Sequence, residues 1–214
     1  MNKQQRGHGL EAGLPRLLGE RLCLDLVNSV EAPLGDHPED YLGSYADLVR
    51  WAHHAGIFDA TIAECLTRRG RERDAEAASV FSRAIGLRQA LGDVFRTVAH
   101  GRIPKQTNLD RVSEEYRRAI AHARLAPAGT RAAWAWPAEA TELERPLWAI
   151  AESAVDTLTA GDPRRIRECP GAGDCGWLFY DTSRNGSRRW CSMEGCGSRV
   201  KMRHHYARHR AERP

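Results

Sequence analysis

Apolar residues recur at spacings of three and four across residues 73–100, at Ala77, Ala78, Phe81, Ala84, Ile85, Leu91, Val94, Phe95 and Val98. That periodicity predicts one long amphipathic helix, and Gly101 followed by Pro104 predicts its stop. The same period predicts shorter helices at 41–54 (Ala46, Leu48, Val49, Trp51), 59–69 (Ile62, Ala63, Cys65, Leu66), 109–124 and 143–159 (Leu147, Ile150, Ala151, Ala154, Val155, Leu158). Residues 19–30 are densely apolar and fit two periods. Leu22, Leu26, Val27 and Val30 suit a helix, whereas Leu22, Leu24 and Leu26 suit a strand; a helix from about Leu24 is the favoured reading. The alternation at 131–136 predicts a strand in a small hairpin. Residues 1–18 read as a lead-in and 35–38 as a loop.

The pattern changes after Gly161-Asp162-Pro163. Four of the six cysteines then fall in two pairs, Cys169 with Cys175 and Cys191 with Cys196, with fifteen residues between the pairs. Two converging knuckles of this kind are the layout of a structural zinc site. The knuckles hold five and four intervening residues, longer than the usual two, and Pro170, Gly171 and Gly173 let the first one turn. Four thiolates leave no coordination position for water, so one structural Zn2+ is expected to hold the fold and not to do chemistry. Residues 177–181 read as a strand with Trp177 and Phe179 on one face and Leu178 and Tyr180 on the other. Asn185-Gly186 signals a tight turn, 187–191 a returning strand, and a helix starts after Cys196-Gly197 and runs to about Arg210. The expected fold is mostly α: a helical domain at 1–160 with a small β-hairpin, then a treble-clef-like zinc finger at 164–214 in the order knuckle, hairpin, knuckle, helix.

Other metal sets compete poorly. Cys191, Cys196, His205 and His209 read C-x4-C-x8-H-x3-H, but the gap is short and Cys169 and Cys175 are stranded. Cys23 and Cys65 occupy apolar helical positions and read as core. No run of eighteen apolar residues suggests a membrane span, and the N-terminal residues lack the apolar core of a signal peptide. A cytoplasmic location with reduced thiols is therefore expected.

Charge separates the two parts. Of the chain's 32 basic and 28 acidic residues, twelve basic and six acidic residues lie at 161–214, leaving twenty and twenty-two before them. Lys3, Lys105 and Lys201 are the only lysines, so arginine richness in itself says little and its clustering beside the cysteines says more. On a helical wheel Arg199, Arg203, Tyr206 and Arg210 fall within roughly 40° of one another, with Val200, Ala207 and Ala211 as an apolar stripe that can pack on the hairpin. A compact metal module with this balance attracts phosphate backbones. Arg184, Arg188, Arg189, Arg199, Lys201, Arg203 and Arg210 are the candidate contacts to double-stranded DNA.

The segment from Cys175 to Lys201, CGWLFYDTSRNGSRRWCSMEGCGSRVK, resembles the CGNR zinc finger, and the L-C-L-D-L-V-N-S run from Leu22 resembles the opening of the ABATE domain. Proteins of that architecture are regarded as stress-induced transcription regulators of bacteria. The signature tetrapeptide is Cys196-Gly197-Ser198-Arg199 here, with Ser for Asn, and the first knuckle is longer than usual. Neither departure touches a cysteine, and a serine can supply a helix-start hydrogen bond in place of asparagine.

The resemblance implies a regulator that binds DNA through its zinc finger, with an N-terminal domain that senses a small molecule or dimerises. Arg88 interrupts the apolar stripe of the long helix, and a buried arginine needs a partner. Asp25 is one candidate. An internal ion pair is the plainer reading; a pocket of Asp25, Asn28 and Arg88 for a small acidic effector is the sharper one. No GxSxG, P-loop, HExxH or dinucleotide fingerprint points to an enzyme. RNA binding is the alternative, with Trp177, Phe179, Tyr180 and Trp190 stacking on bases, as is a protein-interaction module with an acidic partner.

Overall fold

The computed structural model describes residues 13–31, 39–139, 141–171 and 175–211, the side chains of 31, 204 and 207–211 excepted. The loop expected at 35–38, the first twelve residues of the lead-in, Gly173, and the side chains of Ala207, His209, Arg210 and Ala211 lie outside the described residues.

The fold is mostly helical, and its hub is short. Helix α1 (Leu22–Val27) has all six residues buried, which resolves the two-period ambiguity: a segment covered on every side carries no polar face to set a period. It packs against α4 (Asp74–Ala99), α6 (Arg145–Thr159) and the finger strand described below. The two-residue strands β1 (Val30–Glu31) and β2 (Glu39–Asp40) follow it as an antiparallel pair. Helix α2 (Tyr45–His54) starts at Ser44, whose hydroxyl accepts from the Asp47 amide; this cap places the start four residues later than the apolar pattern predicts. Helix α3 (Ala60–Glu72) is capped in the same way by Asp59.

Helix α4 spans almost the whole predicted stretch. Its buried arc is wider than the predicted stripe and includes Val80 and Leu87, while Phe81, Ile85 and Val98 are half-buried. Helix α5 (Gln106–Ala121) and α6 pack side by side, with Ala119, Trp148 and Ala151 between them. Strands β3 (Arg124–Ala128) and β4 (Arg131–Ala135) form the predicted hairpin, with Leu125 opposite Trp134. Arg83 of α4 spans to Glu115 of α5 and to Glu144 just before α6, each at 2.7 Å.

The finger opens with β5 (Ile166–Glu168), whose antiparallel partner is β6 (Leu178–Tyr180). The first knuckle, Cys169 to Cys175, is thus the loop of that hairpin. Predicted faces and observed faces agree: Leu178 and Tyr180 join the main core, whereas Trp177 and Phe179 join the four cysteines. The predicted return strand at 187–191 does not form. The far edge of β6 is already taken, because the Tyr180 amide donates to the Gly19 carbonyl at 2.9 Å and both backbone groups of Leu178 bond the Asn28 amide side chain, at 2.9 and 2.8 Å. The Ser187 and Arg188 amides go instead to the Ser183 hydroxyl and the Asp181 carboxylate. A π-helical turn (Met193–Gly197) and helix α7 (Ser198–Ala211) complete the finger.

Candidate metal centre and basic helix

The knuckles bring Cys169, Cys175, Cys191 and Cys196 into one buried group whose sulfurs lie within 4.8 Å of one another. The Cys175–Cys191 and Cys191–Cys196 Sγ separations are both 3.7 Å. A tetrahedron with metal–sulfur bonds of about 2.3 Å has edges of about 3.8 Å, so the donor set fits zinc in number, type and spacing. Thiols this close cannot all ionise without a cation. Hydrogen bonds from Cys175 and Cys191 hold the Cys169 thiol well below its ordinary value. The bond to Cys169 pushes Cys175 up to about 12 and Cys191 upward as well. A divalent ion removes that conflict by holding all four as thiolates. The residues form a zinc-binding cluster consistent with one structural ion. Cys191 and Cys196 converge with Cys169 and Cys175, and among the described residues that quartet is the one converging group; the side chain of His209, from the competing two-Cys, two-His set, lies outside the described residues.

Local chemistry explains how each knuckle forms. Gly171 has φ +47°, and a Cβ there would lie 2.5 Å from the Cys175 Cβ; a side chain fails on both counts. The Cys169 amide bonds the Trp177 carbonyl at 2.8 Å, tying the base of the first knuckle. In the second, the Ser192 hydroxyl accepts from the Gly195 amide, and the Cys191 amide donates to the Cys169 sulfur at 3.3 Å. Ser198, the residue in place of Asn in the tetrapeptide, donates back to the Met193 carbonyl. It secures the helix start through an acceptor, while the capping role falls to Ser192.

Asp181 and Arg188 are structural centres that the sequence reading did not assign to this role. Asp181 is fully buried and accepts from the Ser183 amide and hydroxyl and from the Arg188 amide, at 2.9, 2.6 and 2.9 Å. Burial opposes its ionisation, but those donors prevail and hold its carboxyl below the usual range. The D-x-S spacing is the signature of an Asx turn, and it is the sequence signal for Asp181's role in this loop. Arg188 was expected on DNA. Its guanidinium instead bonds the carbonyls of Leu18, Trp190 and Cys191 and the Glu20 carboxylate, and it lies over the Phe179 ring at 4.6 Å. It clasps the lead segment to the second knuckle. Glu20, the one described non-glycine residue with positive φ, at 61°, is held by that contact.

The remaining predicted cations sort differently. Arg184 and Arg189 are exposed on the loop after β6, and Arg199, Lys201 and Arg203 are exposed on α7. Arg199 also donates to the Cys196 sulfur at 3.1 Å, linking the helix to the metal group. Helix α7 packs mainly on the turn before it; of the apolar stripe predicted to seat it on the hairpin, Val200 is half-buried, and the side chains of Ala207 and Ala211 lie outside the described residues. Met202 and Tyr206 stand exposed on it. Trp177, Phe179 and Tyr180, expected as a base-stacking platform, are all at most 8% exposed and cannot stack on RNA as folded.

The Asp25, Asn28 and Arg88 group is divided among separate contacts. Arg88 pairs with Asp40, at 2.7 and 2.5 Å, and with the Ser29 hydroxyl; the partner is Asp40, not Asp25. Burial raises the Asp40 carboxyl, but the Arg88 bonds outweigh it and hold it below its ordinary value. Asn28 serves Leu178, and the Asp25 carboxylate accepts from the Gly19 amide at 2.7 Å.

A helical body, a four-cysteine centre on a hairpin and an emergent basic helix define a protein built around a metal-binding finger. Residues 20–161 match the family model described as "ABATE: Putative stress-induced transcription regulator", and 165–209 match the CGNR zinc finger. The chain belongs to the ABATE family and carries that finger. No curated protein matches it in sequence. No helix among the described residues is long and apolar enough to cross a membrane.

Proposed function

We propose that the chain regulates transcription by binding double-stranded DNA through its finger, with residues 1–160 as the regulatory part and 164–214 as the reader. The observation that carries this is helix α7. It leaves the metal group with Arg199, Lys201, Arg203 and Tyr206 exposed, and its fourteen residues extend about 21 Å at 1.5 Å per residue, enough to lie along a major groove. Arg184 and Arg189, exposed on the loop after β6, suit phosphate contact. Zinc supplies stiffness: it locks the knuckles, the turn and so the direction of the helix. A duplex reader is favoured over an RNA reader because three of the four aromatics needed for stacking are buried.

The body bears on the reader through packed contacts. Arg96 of α4 meets Glu168 of β5 at 3.4 Å, and α1 packs on β6. A ligand or a second copy acting on the body would reach the finger by this route.

Selection of bound sequences from random duplex DNA, with and without chelator, tests the reading. Enrichment of a defined site that chelation abolishes is expected; equal recovery from both arms would refute it. Arg203→Ala, on an exposed position of α7, is expected to weaken binding five- to tenfold, within the ~1–3 kcal/mol of one lost contact, with zinc content unchanged.

A further inference from the structure

A cavity of about 260 Å³ lies between the lead segment and the finger, and none of the predicted functions uses it. Leu14, Leu18 and Trp177 contribute apolar lining, and two exposed arginines, Arg16 and Arg199, line it with Ser192. Cys175, Cys191 and Cys196 of the metal group also line it, but the volume is many times that of an ion. At about 30 Å³ per water it equals roughly nine waters of liquid, the size of a small organic molecule. Two cations are unsuited to an amine, and a sugar or a bare phosphate would leave the apolar lining uncovered.

We propose that this cavity binds a small organic anion with an apolar body, an aryl or alkyl carboxylate. Its carboxylate meets Arg16 and Arg199, where charge-assisted bonds are strongest, and its body lies on Leu14, Leu18 and Trp177. The site differs from the Arg88 region and does not depend on the DNA reading. It does place a ligand on both sides of the junction. Arg16 belongs to the segment that Arg188 clasps, and Arg199 touches the Cys196 sulfur at 3.1 Å at the root of α7. Occupancy therefore ties the lead segment to the helix, and a ligand can shift the helix only as far as it binds one position of that helix better than another.

Titration calorimetry on the zinc-loaded full chain tests this with 2-naphthoate as probe. One saturable site is expected. The neutral isostere 2-naphthamide should bind at least tenfold more weakly, and acetate, which lacks the body, should not saturate. Arg16→Ala, on an exposed residue, should weaken naphthoate at least tenfold with zinc content unchanged, whereas Arg131→Ala on the distant hairpin should leave it unaltered. Equal affinity for acid and amide, no saturation at millimolar probe, or indifference to Arg16→Ala would each overturn the proposal.

Discussion

The body and the finger bury their interiors by different means. The body has a continuous apolar core running from α1 through α4 to α6, with side chains such as Trp51, Phe95 and Leu147 almost wholly covered. The finger's own cluster is four cysteines with Trp177 and Phe179, fringed by Leu18 and Trp190. A core that small cannot offset the entropy of ordering its chain, so the metal must supply the difference. The comparison teaches where each half is vulnerable. Removing zinc forfeits a binding term of about 10–16 kcal/mol from the finger and nothing directly from the body. Chelation, or Cys191→Ser, is expected to make residues from about 169 onward protease-sensitive, while most of the helical circular dichroism persists. Loss of both together would show that the body depends on the metal too.

Acid should break the halves in the same order. Zinc needs thiolates, and protons compete for them from the thiol side of the scale, near 8.5 in the unperturbed group. The body's acid-sensitive groups are carboxylates. Burial raises Asp40 and Glu144, but Arg88 and Arg83 bonds prevail and leave both below their ordinary values. A depressed folded pKa gives stability that is complete above the unfolded value, about 4, and drains away as pH falls through it. Stepwise acidification is therefore expected to release zinc to a chromogenic chelator before helicity declines. Simultaneous loss would mean the carboxylates and the thiolates report a single transition.

The seam between the halves gives the next largest effect. Asn28 bonds both backbone groups of Leu178, 150 residues away, and so acts as a third strand of one residue. Asn28→Ala leaves a buried N–H and a buried C=O without partners, at about 1–3 kcal/mol each. A loss of about 2–4 kcal/mol is expected in denaturant titration, with zinc retained and the finger separating from the body at lower denaturant than in the parent. An unchanged single transition would show that the apolar contacts of Leu178 and Tyr180 alone hold the seam.

That seam also marks where sequence reasoning stopped. The period of α4 and α6 made them legible, because a long amphipathic helix repeats its signal over many turns. The cysteine quartet was legible because ligand type and spacing are local. The two-faced character of residues 177–180 was legible as well, and it placed one face on each core. What failed depends on partners distant in sequence. The return strand at 187–191 was read from a sound turn signal at Asn185-Gly186, but Gly19 and Asn28 hold the edge it needed. Arg188 carried the same charge and exposure prior as its neighbour Arg189. Only the folded positions of Leu18 and Glu20 turn one inward and leave the other in solvent. Asp40 lies across a stretch whose pattern says nothing about Arg88.

The smallest effect concerns Arg199, which belongs to both sides of the comparison. As a cation exposed on α7 it is a candidate for DNA; as a donor to the Cys196 sulfur it belongs to the metal. An N–H bond to a thiolate disperses its charge and orients the ligand, and loss of such a supporting contact typically costs about 10–100-fold in metal affinity. Arg199→Ala is therefore expected to lower zinc affinity about tenfold in competition with a chelator of known strength, without DNA present, while Arg203→Ala leaves it unchanged. Arg199→Lys separates the two roles further. A lysine keeps the charge that a phosphate attracts but not the planar fork that reaches sulfur and groove at once. Zinc affinity equal to the parent's in both Arg199 variants would show that this residue gives the metal no support.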